Sequence, residues 1–394
     1  MYNIDKLNEL VSYVKQNNLF YNELYNNVNI PLKDIIELPL LQRIAIRSNK
    51  DKIISKGFNV NSLKHDKTNG TTEKIPLDIY KTKSEWISLD LLLWSKRRNF
   101  NVDATKRYAF YYYNGKDFSK DNTVIGKQEN IIIHFPMRKA NEYKFVEDLL
   151  LMIDKKIEWL ICPPSIALVL CNIAIKYNID LKLKVVELIS EYLPEAYKLL
   201  IEKVFDCKTC IHYSCHEIWG MAFSDRDGKL KIMDDIILEQ KQDNRFMKNY
   251  GCCVVTNLRL KSMPFIRYEL NDLISIDGDS IKTYGFRISE KVILENFEIH
   301  CSFFDNIFLE FSDYVLLPLE NYQIIYDNNS IYFYLLGVDS AIYKTIKDFV
   351  SENIYKCFSQ KVNIEMISSE KFYTDKISGK MRGIIKYEDV NWEL

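Results

Sequence analysis

The segment CKTCIHYSCHEIWG combines three cysteines, two histidines and a glutamate within residues 207–220. Cys207 and Cys210 form one C-x-x-C pair, a spacing that structural zinc sites usually use twice. The sequence contains no second C-x-x-C pair, because Cys252 and Cys253 are adjacent. We therefore predict no zinc in this segment and interpret its cysteines as small buried side chains. A zinc-binding structural protein built around this segment stays open as an alternative.

The other polar residues of the segment favour a different chemistry. Tyr213, Ser214 and Glu217 stand where a predicted strand ends and a new element begins. Ligands of open α/β sheets gather at the carboxyl ends of strands. A Tyr-x-x-x-Glu spacing is common, however, and on its own identifies no function.

A second candidate is the polar segment KTNGTTEKIP, residues 67–76. Hydroxyls and backbone N–H groups can donate to phosphate oxygens, and glycine allows close approach of the backbone. The pattern does not match the G-x-x-x-x-G-K-[ST] loop of standard nucleotide-binding proteins. A solvated polar turn is the alternative. The candidate phosphate ligands are Thr68, Asn69, Gly70, Thr71 and Thr72.

Two further motifs carry one charged side chain each. In MPFIRYELNDLISI, residues 263–276, Asp272 precedes a strand and could accept hydrogen bonds from a ribose diol. In TDKISGKMRGII, residues 374–385, Lys380 follows Gly379 in a polar turn near the C-terminus. Read in isolation, each residue is equally compatible with an ordinary turn or surface position.

The overall composition excludes some partners. The 394 residues include 53 basic and 54 acidic side chains, for a net charge of −1. This balance argues against broad binding to nucleic acid or to a membrane surface. The longest apolar stretch, residues 159–175, is broken by Pro163 and Pro164 and is short for a membrane span. The first residues lack the apolar core of an export signal. We expect a cytoplasmic protein whose nine cysteines are mostly reduced.

The periodicity of apolar residues predicts alternating helices and strands, and so an α/β layered core. Helices are predicted at 4–17, 32–48, 84–98, 144–154, 166–177 and 192–204. Strands are predicted at 130–135, 158–164, 183–190 and 210–214. After residue 235 the pattern changes to short strands and then to a compact α+β unit. We therefore predict a large N-terminal domain with mixed sheets over residues 1–285 and a small, mobile α+β domain over 286–394.

In this order, the four motifs resemble those of the acyl-adenylate-forming superfamily. The similarity is greatest to the phenylacetate–CoA ligase branch and its relatives in capsular polysaccharide biosynthesis. TNGTTEKIP resembles the Thr/Ser–Gly-rich phosphate loop, IEWLICPPS a strand-to-helix step, and MPFIRYELNDL and SGKMRGII two later family motifs. The resemblance covers nearly the whole chain and implies an AMP-forming acid–thiol ligase. Such an enzyme uses ATP and Mg²⁺, a small carboxylic acid, and coenzyme A, a carrier-protein thiol or an amine as acyl acceptor.

The resemblance also implies roles for individual residues. The threonine-rich segment would hold the β- and γ-phosphates, Glu217 would help to bind Mg²⁺, and Lys380 would approach the α-phosphate and the attacking carboxylate. Residues implied to bind the base and ribose are Ser190, Glu191, Tyr213, Asp272 and Arg287. Residues implied to line the acyl pocket are Pro164, Ser165 and Trp219.

The sequence departs from the family pattern at two positions. Glu73 stands where the phosphate loop usually has its second glycine, and Asn271 stands where a glycine usually precedes the ribose-binding aspartate. A carboxylate beside a triphosphate is electrostatically unfavourable unless it points away or binds a metal. A protein that binds a nucleotide or a partner without turnover is therefore the alternative function.

Overall fold

The computed structural model describes residues 2–68, 76–102, 107–112, 124–125, 132–136, 142–246, 249–315, 322–376 and 379–392. Its α-helices are α1 Ile4–Asn17, α2 Leu19–Leu24, α3 Arg43–Ser48, α4 Lys83–Arg97, α5 Glu142–Asp154, α6 Pro164–Lys176, α7 Glu195–Phe205, α8 Cys301–Val315 and α9 Tyr343–Phe358.

The first strands are β1 Lys64–Lys67, β2 Asp78–Lys81, β3 Tyr108–Tyr112, β4 Val124–Ile125, β5 Ile132–Pro136, β6 Trp159–Cys162, β7 Val185–Ile189, β8 Lys208–Cys215, β9 Trp219–Ser224, β10 Leu230–Ile232 and β11 Ile236–Gln242. The remaining strands are β12 Gly251–Asn257, β13 Tyr268–Asp277, β14 Ser280–Arg287, β15 Lys291–Ile293, β16 Glu298–His300, β17 Tyr322–Tyr326, β18 Ser330–Leu336, β19 Asn363–Ser369, β20 Thr374–Asp375, β21 Ile384–Lys386 and β22 Val390–Asn391.

The chain divides into two compact units. Unit 1 comprises Met1–Asp103, Ile211–Gln242 and Tyr250–Lys282, and unit 2 comprises Ala104–Cys210, Asp243–Asn249 and Thr283–Leu394. The domain boundary between residues 285 and 286 stays a prediction.

Unit 1 is built mainly on antiparallel strands. Strands β11, β12 and β13 pair antiparallel, and so do β9 and β10. A separate hairpin pairs β1 with β2, and its two strands flank residues 69–75 in sequence. Helix α4 follows the hairpin directly. It begins with a capping box in which Thr82 and Glu85 satisfy each other's backbone N–H groups.

Unit 2 contains a parallel sheet in the order β7–β6–β3–β5, to which β4 adds an antiparallel edge. Every residue of β6 is buried, and most of α6 is buried around its whole circumference. Sequence analysis predicted this pairing of a buried strand with a buried helix. A second sheet has the order β19–β18–β17–β21. Helix α9 packs against β19, and aromatic rings of α8 contact β17 and β18. The predicted α/β class is confirmed.

The helix predicted at 4–17 is confirmed as α1, because Asn3 caps its first turn and Leu7, Leu10, Val11 and Val14 form its buried face. The single helix predicted at 32–48 is wrong. A 3₁₀ turn at Ile35–Glu37 and the short helix α3 occupy this stretch. Pro39 disfavours helical backbone at the preceding residue, and Leu38 is accordingly extended, with φ −86° and ψ 144°.

Candidate nucleotide site

Two of the motifs found in the sequence meet in unit 1. The Tyr213 hydroxyl, at the end of β8, donates a hydrogen bond to Oδ2 of Asp272 in β13 at 3.0 Å. Burial, followed by the charge of Asp272, raises the pKa of Tyr213 well above its usual value, so the phenol stays protonated as a donor. The tyrosine therefore fixes the orientation of the carboxylate that the resemblance assigns to the ribose.

The predicted cation ligand, Glu217, lies in the turn between β8 and β9 and is 4% exposed. Its Oε1 accepts a hydrogen bond from the Tyr268 hydroxyl at 2.9 Å. The Arg43 guanidinium lies 3.6 Å from the same oxygen. A buried carboxylate is costly without such partners. These two contacts orient the Glu217 carboxylate.

The first residue of the predicted phosphate loop, Thr68, belongs to the same network. Its hydroxyl accepts a hydrogen bond from Nη2 of Arg43 and another from the Leu77 amide at 2.8 Å. Arg43 therefore bridges Thr68 and Glu217. The other predicted phosphate ligands, Asn69, Gly70, Thr71 and Thr72, lie outside the described residues, as does Glu73.

Trp219, an acyl-pocket candidate, begins β9 in a left-handed conformation with φ +77°. This backbone conformation is unusual for a bulky residue. Trp219 directly follows the turn that carries Glu217. Its ring lies against that of Trp86 in α4, with centroids 4.5 Å apart. Next to it, a Cβ added to Gly220 would come 2.6 Å from the Met233 sulfur, so only glycine fits there without a shift.

The remaining predicted residues lie in unit 2, where Glu191 contacts both the start of α6 and the segment that carries Lys380. Its carboxylate accepts hydrogen bonds from the Ser165 amide at 3.0 Å and the Ser165 hydroxyl at 3.1 Å. It also accepts one from the Met381 amide at 3.0 Å. Burial raises the pKa of Glu191, and these donors and the charge of Lys380 oppose that rise. The acyl-pocket candidates Pro164 and Ser165 begin helix α6.

Lys380 therefore lies beside a carboxylate that sequence analysis assigned to the adenine side of the site. Gly379 precedes it in a left-handed conformation, φ +61°, which glycine adopts without strain. Ser190 is also left-handed, with φ +68°, between β7 and Glu191. Arg287 ends β14. The ligand-binding roles of Lys380, Ser190, Glu191 and Arg287 stay predictions.

The cysteines of the opening segment have the environment of packing residues. Cys210 is buried, and burial raises the pKa of the Cys207 thiol to about 12. Burial likewise raises the pKa of the Cys215 thiol. Zinc binds thiolates, which such surroundings disfavour. Within the described ranges, no group of three or more His, Cys, Asp or Glu side chains has a metal-binding arrangement.

Sequence analysis did not identify Arg43 and Lys81. Arg43 lies in a short helix that matches no motif, and only the folded chain brings it to Thr68 and Glu217. Lys81 ends β2 and is 2% exposed. Its ammonium donates a hydrogen bond to the His216 carbonyl oxygen at 2.8 Å. Burial lowers the pKa of Lys81. The only sequence signal for Lys81 was its position in DIYK, where alternation along a strand places it on the same face as Ile79.

Comparison with known structures identifies the fold. The chain is similar to 2-hydroxyisobutyryl-CoA ligase in the postadenylation state in complex with R3-HIB-AMP, with a TM-score of 0.65 and 13% identity over 97% of this chain and 88% of that chain. An open conformation of the same ligase with 2-HIB-AMP and CoA matches with a TM-score of 0.62 and 13% identity, over 97% and 90%. An acyl-CoA synthetase from Brucella canis matches with a TM-score of 0.52 and 12% identity, over 81% and 62%.

The protein therefore has the fold of acyl-CoA and acyl-adenylate-forming ligases. At these identities the similarity establishes the fold. No family model matches the sequence, and no curated protein is a significant match. Among the described helices, none has both the length and the apolar character needed to cross a membrane.

Proposed function

We propose that this protein activates a carboxylic acid with ATP and transfers the acyl group to an acceptor. A carboxylate oxygen of the acid attacks the α-phosphorus of ATP, the bond to the β-phosphate oxygen breaks, and pyrophosphate leaves. The acyl-AMP then reacts at its carbonyl carbon with a thiol or amine, and AMP leaves. The thiol is that of coenzyme A or of a carrier protein. The enzyme is assigned to the phenylacetate–CoA ligase-like branch.

In unit 1, the proposal assigns phosphate binding to Thr68 and to the residues 69–72 that follow it. Asp272 accepts hydrogen bonds from the ribose hydroxyls, and Tyr213 holds that carboxylate in place. Supporting this assignment, the Tyr213 hydroxyl donates to Asp272 at 3.0 Å, and Arg43 joins Thr68 to Glu217. Trp219 contributes to the acyl pocket.

In unit 2, the proposal assigns Lys380 to the α-phosphate and the attacking carboxylate. A lysine cation offsets the charge that accumulates on phosphate oxygens as the new bond forms, which lowers the barrier. Arg287, Ser190 and Glu191 bind the nucleotide. Pro164 and Ser165 line part of the acyl pocket. Residues 1–285 would form the domain that binds ATP and the acid. Residues 286–394 would form the small domain that carries Lys380, and its movement would withdraw Lys380 after adenylation.

The donor chemistry of Glu217 fits Mg²⁺. Mg²⁺ prefers oxygen ligands and usually binds through one or two carboxylates together with substrate phosphates. Glu217 supplies one buried carboxylate, and the hydroxyl of Tyr268 orients it. Bound there, Mg²⁺ would neutralise phosphate charge. Arg43 is close to the same oxygen and would have to share it.

The shared fold carries the proposal: 97% of the chain matches a ligase solved with 2-HIB-AMP and CoA. The test is pyrophosphate exchange into ATP by the purified chain with Mg²⁺, across a panel of aryl, acyl and amino acids. We expect exchange that depends on one class of acid and on Mg²⁺. The activating acid is then assayed with coenzyme A, a carrier protein and amines. No exchange with any acid, despite measurable binding of ATP, would contradict the enzymatic proposal.

Glu73 favours one alternative function, a protein that binds a nucleotide or a partner without turnover. A carboxylate beside the triphosphate opposes its binding. The variant Glu73→Gly separates the two functions in the same exchange assay. Turnover by the parent supports the ligase, turnover only by Glu73→Gly indicates a loop that lost its activity, and turnover by neither variant supports the binding function.

A further inference from the structure

The β1–β2 hairpin in unit 1 is tied to the turn between β8 and β9 on both of its strands. On β1, Asp66 Oδ2 lies 2.9 Å from Nδ1 of His216. On β2, the Lys81 ammonium donates to the backbone carbonyl of the same histidine at 2.8 Å. The hairpin flanks the predicted phosphate loop, and His216 directly precedes Glu217. His216 therefore contacts β1 through its side chain and β2 through its backbone carbonyl.

Lysine is an unusual residue for the buried contact that joins β2 to this turn. Lysine is rarely buried without a charged partner, because removing an ammonium from water is costly. Lys81 is nevertheless 2% exposed. Its fixed contact is a neutral carbonyl oxygen, whereas the carboxylates of Asp66, Glu217 and Glu85 stabilise its charge from a greater distance. Such a burial is difficult to explain by stability, since an apolar side chain of similar length would pack there at lower cost.

The consequence is geometric. The carbonyl of His216 and the backbone of Glu217 belong to the same peptide unit, whose atoms are coplanar. Fixing that carbonyl restricts the rotation of the backbone from which the Glu217 side chain projects. The Arg43 bridge from Thr68 to Glu217 fixes the carboxylate end of the same side chain. Thr68 and the predicted Mg²⁺ ligand Glu217 are thereby held at a fixed separation.

We propose that Lys81, together with the Asp66–His216 pair, is a positioning residue that holds the phosphate-loop hairpin in register with Glu217 for binding of the β- and γ-phosphates of ATP. This inference rests on the proposed function and extends it, because it assigns Lys81 and Asp66 a role without a contact to the nucleotide. AMP lacks those two phosphates, so its affinity should not depend on the contacts of Lys81 and Asp66 with His216.

The test is equilibrium binding of ATP and of AMP, each with Mg²⁺ and without any carboxylic acid, measured by calorimetry on the full chain. For Lys81→Met we expect the Kd for ATP to rise about tenfold or more, because part of the binding free energy would then be used to order the hairpin. The Kd for AMP should stay within about twofold of the parent value. Lys83→Met is the matched control, because Lys83 is exposed two positions further on and should change neither Kd.

The variant Asp66→Ala distinguishes a positioning role from a purely electrostatic effect of the Asp66 charge on ATP binding. Removing a negative charge near the triphosphate would strengthen ATP binding by Coulomb attraction. Positioning predicts the opposite, a weaker affinity for ATP with AMP unchanged. Asp66 is half-buried, so this variant should fold even if Lys81→Met does not.

The outcomes are separable. Unchanged or tighter ATP binding in either folded variant overturns the positioning role while the proposed function stands. Equal loss of ATP and AMP binding also overturns it, because the defect would then not concern the β- and γ-phosphates. If the parent protein binds neither nucleotide, the proposed function falls and the positioning role falls with it.

Discussion

The backbone amide of Met381 donates a hydrogen bond to Oε1 of Glu191 at 3.0 Å, joining positions 190 residues apart. The same carboxylate receives both the amide and the hydroxyl of Ser165 at the start of α6. One side chain of unit 2 therefore holds the residue that follows Lys380. The orientation of the predicted catalytic turn depends on this carboxylate.

Replacing Glu191 with alanine should loosen that turn. The amides of Ser165 and Met381 would lose their acceptor, at a cost of about 1–3 kcal/mol for a buried group left unpaired. We expect the Met381 amide to exchange with deuterium at least about tenfold faster, measured by mass spectrometry on peptides covering 379–386. Glu195→Ala is the control, because Glu195 is exposed and pairs with Lys198 one turn away. Unchanged exchange at Met381 would show that Glu191 does not hold the turn.

Lys380→Ala should remove most of the adenylation activity and leave ATP binding largely intact. The lysine is assigned to charge that develops during bond formation, so its loss should slow pyrophosphate exchange about 10²–10³-fold. Lys376→Ala is the comparison variant. Lys376 is exposed in the same turn, contacts the Glu388 carbonyl oxygen, and should not affect exchange. If Lys380→Ala exchanges pyrophosphate as fast as the parent protein, the assigned role is wrong.

Asp272→Ala should weaken binding of ATP and AMP by the same factor, since the two nucleotides share the ribose. Hydrogen bonds to a charged group contribute about 1.5–3 kcal/mol, so we expect a loss of about tenfold to a hundredfold in both affinities. Calorimetric titration measures both values. Asp277→Ala, an exposed position at the end of the same strand, should change neither. A loss confined to ATP would place Asp272 near the phosphates and contradict a ribose contact.

Glu290 makes the stability of the protein depend on pH. Its carboxyl is buried, and burial raises its pKa from 4.5 to about 7, against the opposing charges of Arg287 and Arg382. The folded state then binds the proton more tightly than the unfolded state does. The stability it contributes is complete below about pH 4.5 and is lost as the pH rises to about 7, an effect on the order of 3 kcal/mol.

Urea unfolding at pH 5, 6, 7 and 8 tests this effect. Relative to the parent protein, Glu290→Gln should gain stability between pH 5 and 7 and keep a constant difference above pH 7. Glu295→Gln, at an exposed position of the same segment, should follow the parent at every pH. A constant difference between Glu290→Gln and the parent over the whole range would show that Glu290 does not titrate in this window.

Local patterns in the sequence predicted many of the elements. The spacing of Leu7, Leu10, Val11 and Val14 located α1, and the apolar run through Trp159 located β6 and α6. These predictions succeed because burial on one face requires regularly spaced apolar residues, and burial on all faces requires a continuous apolar run. The helix predicted at 32–48 failed because apolar periodicity continued across Pro39, whose effect on Leu38 ended the helical backbone.

The order of the motifs also predicted which residues carry the chemistry, including Tyr213, Glu217, Asp272 and Lys380. No comparable sequence motif indicates which residues contact them. Arg43 lies in a six-residue helix, and nothing near it in the sequence indicates that it bridges Thr68 and Glu217. The contacts of Lys81 with His216 and of Glu191 with Met381 join positions 135 and 190 residues apart.

The sequence by itself therefore determined the α/β class and the motif side chains, because secondary-structure periodicity and reactive residue types are local properties of the chain. The tertiary structure decided which side chains orient them. Hydrogen bonds and ion pairs act over a few ångströms, and only the folded chain brings Arg43, Lys81 and Glu191 within that distance of their partners.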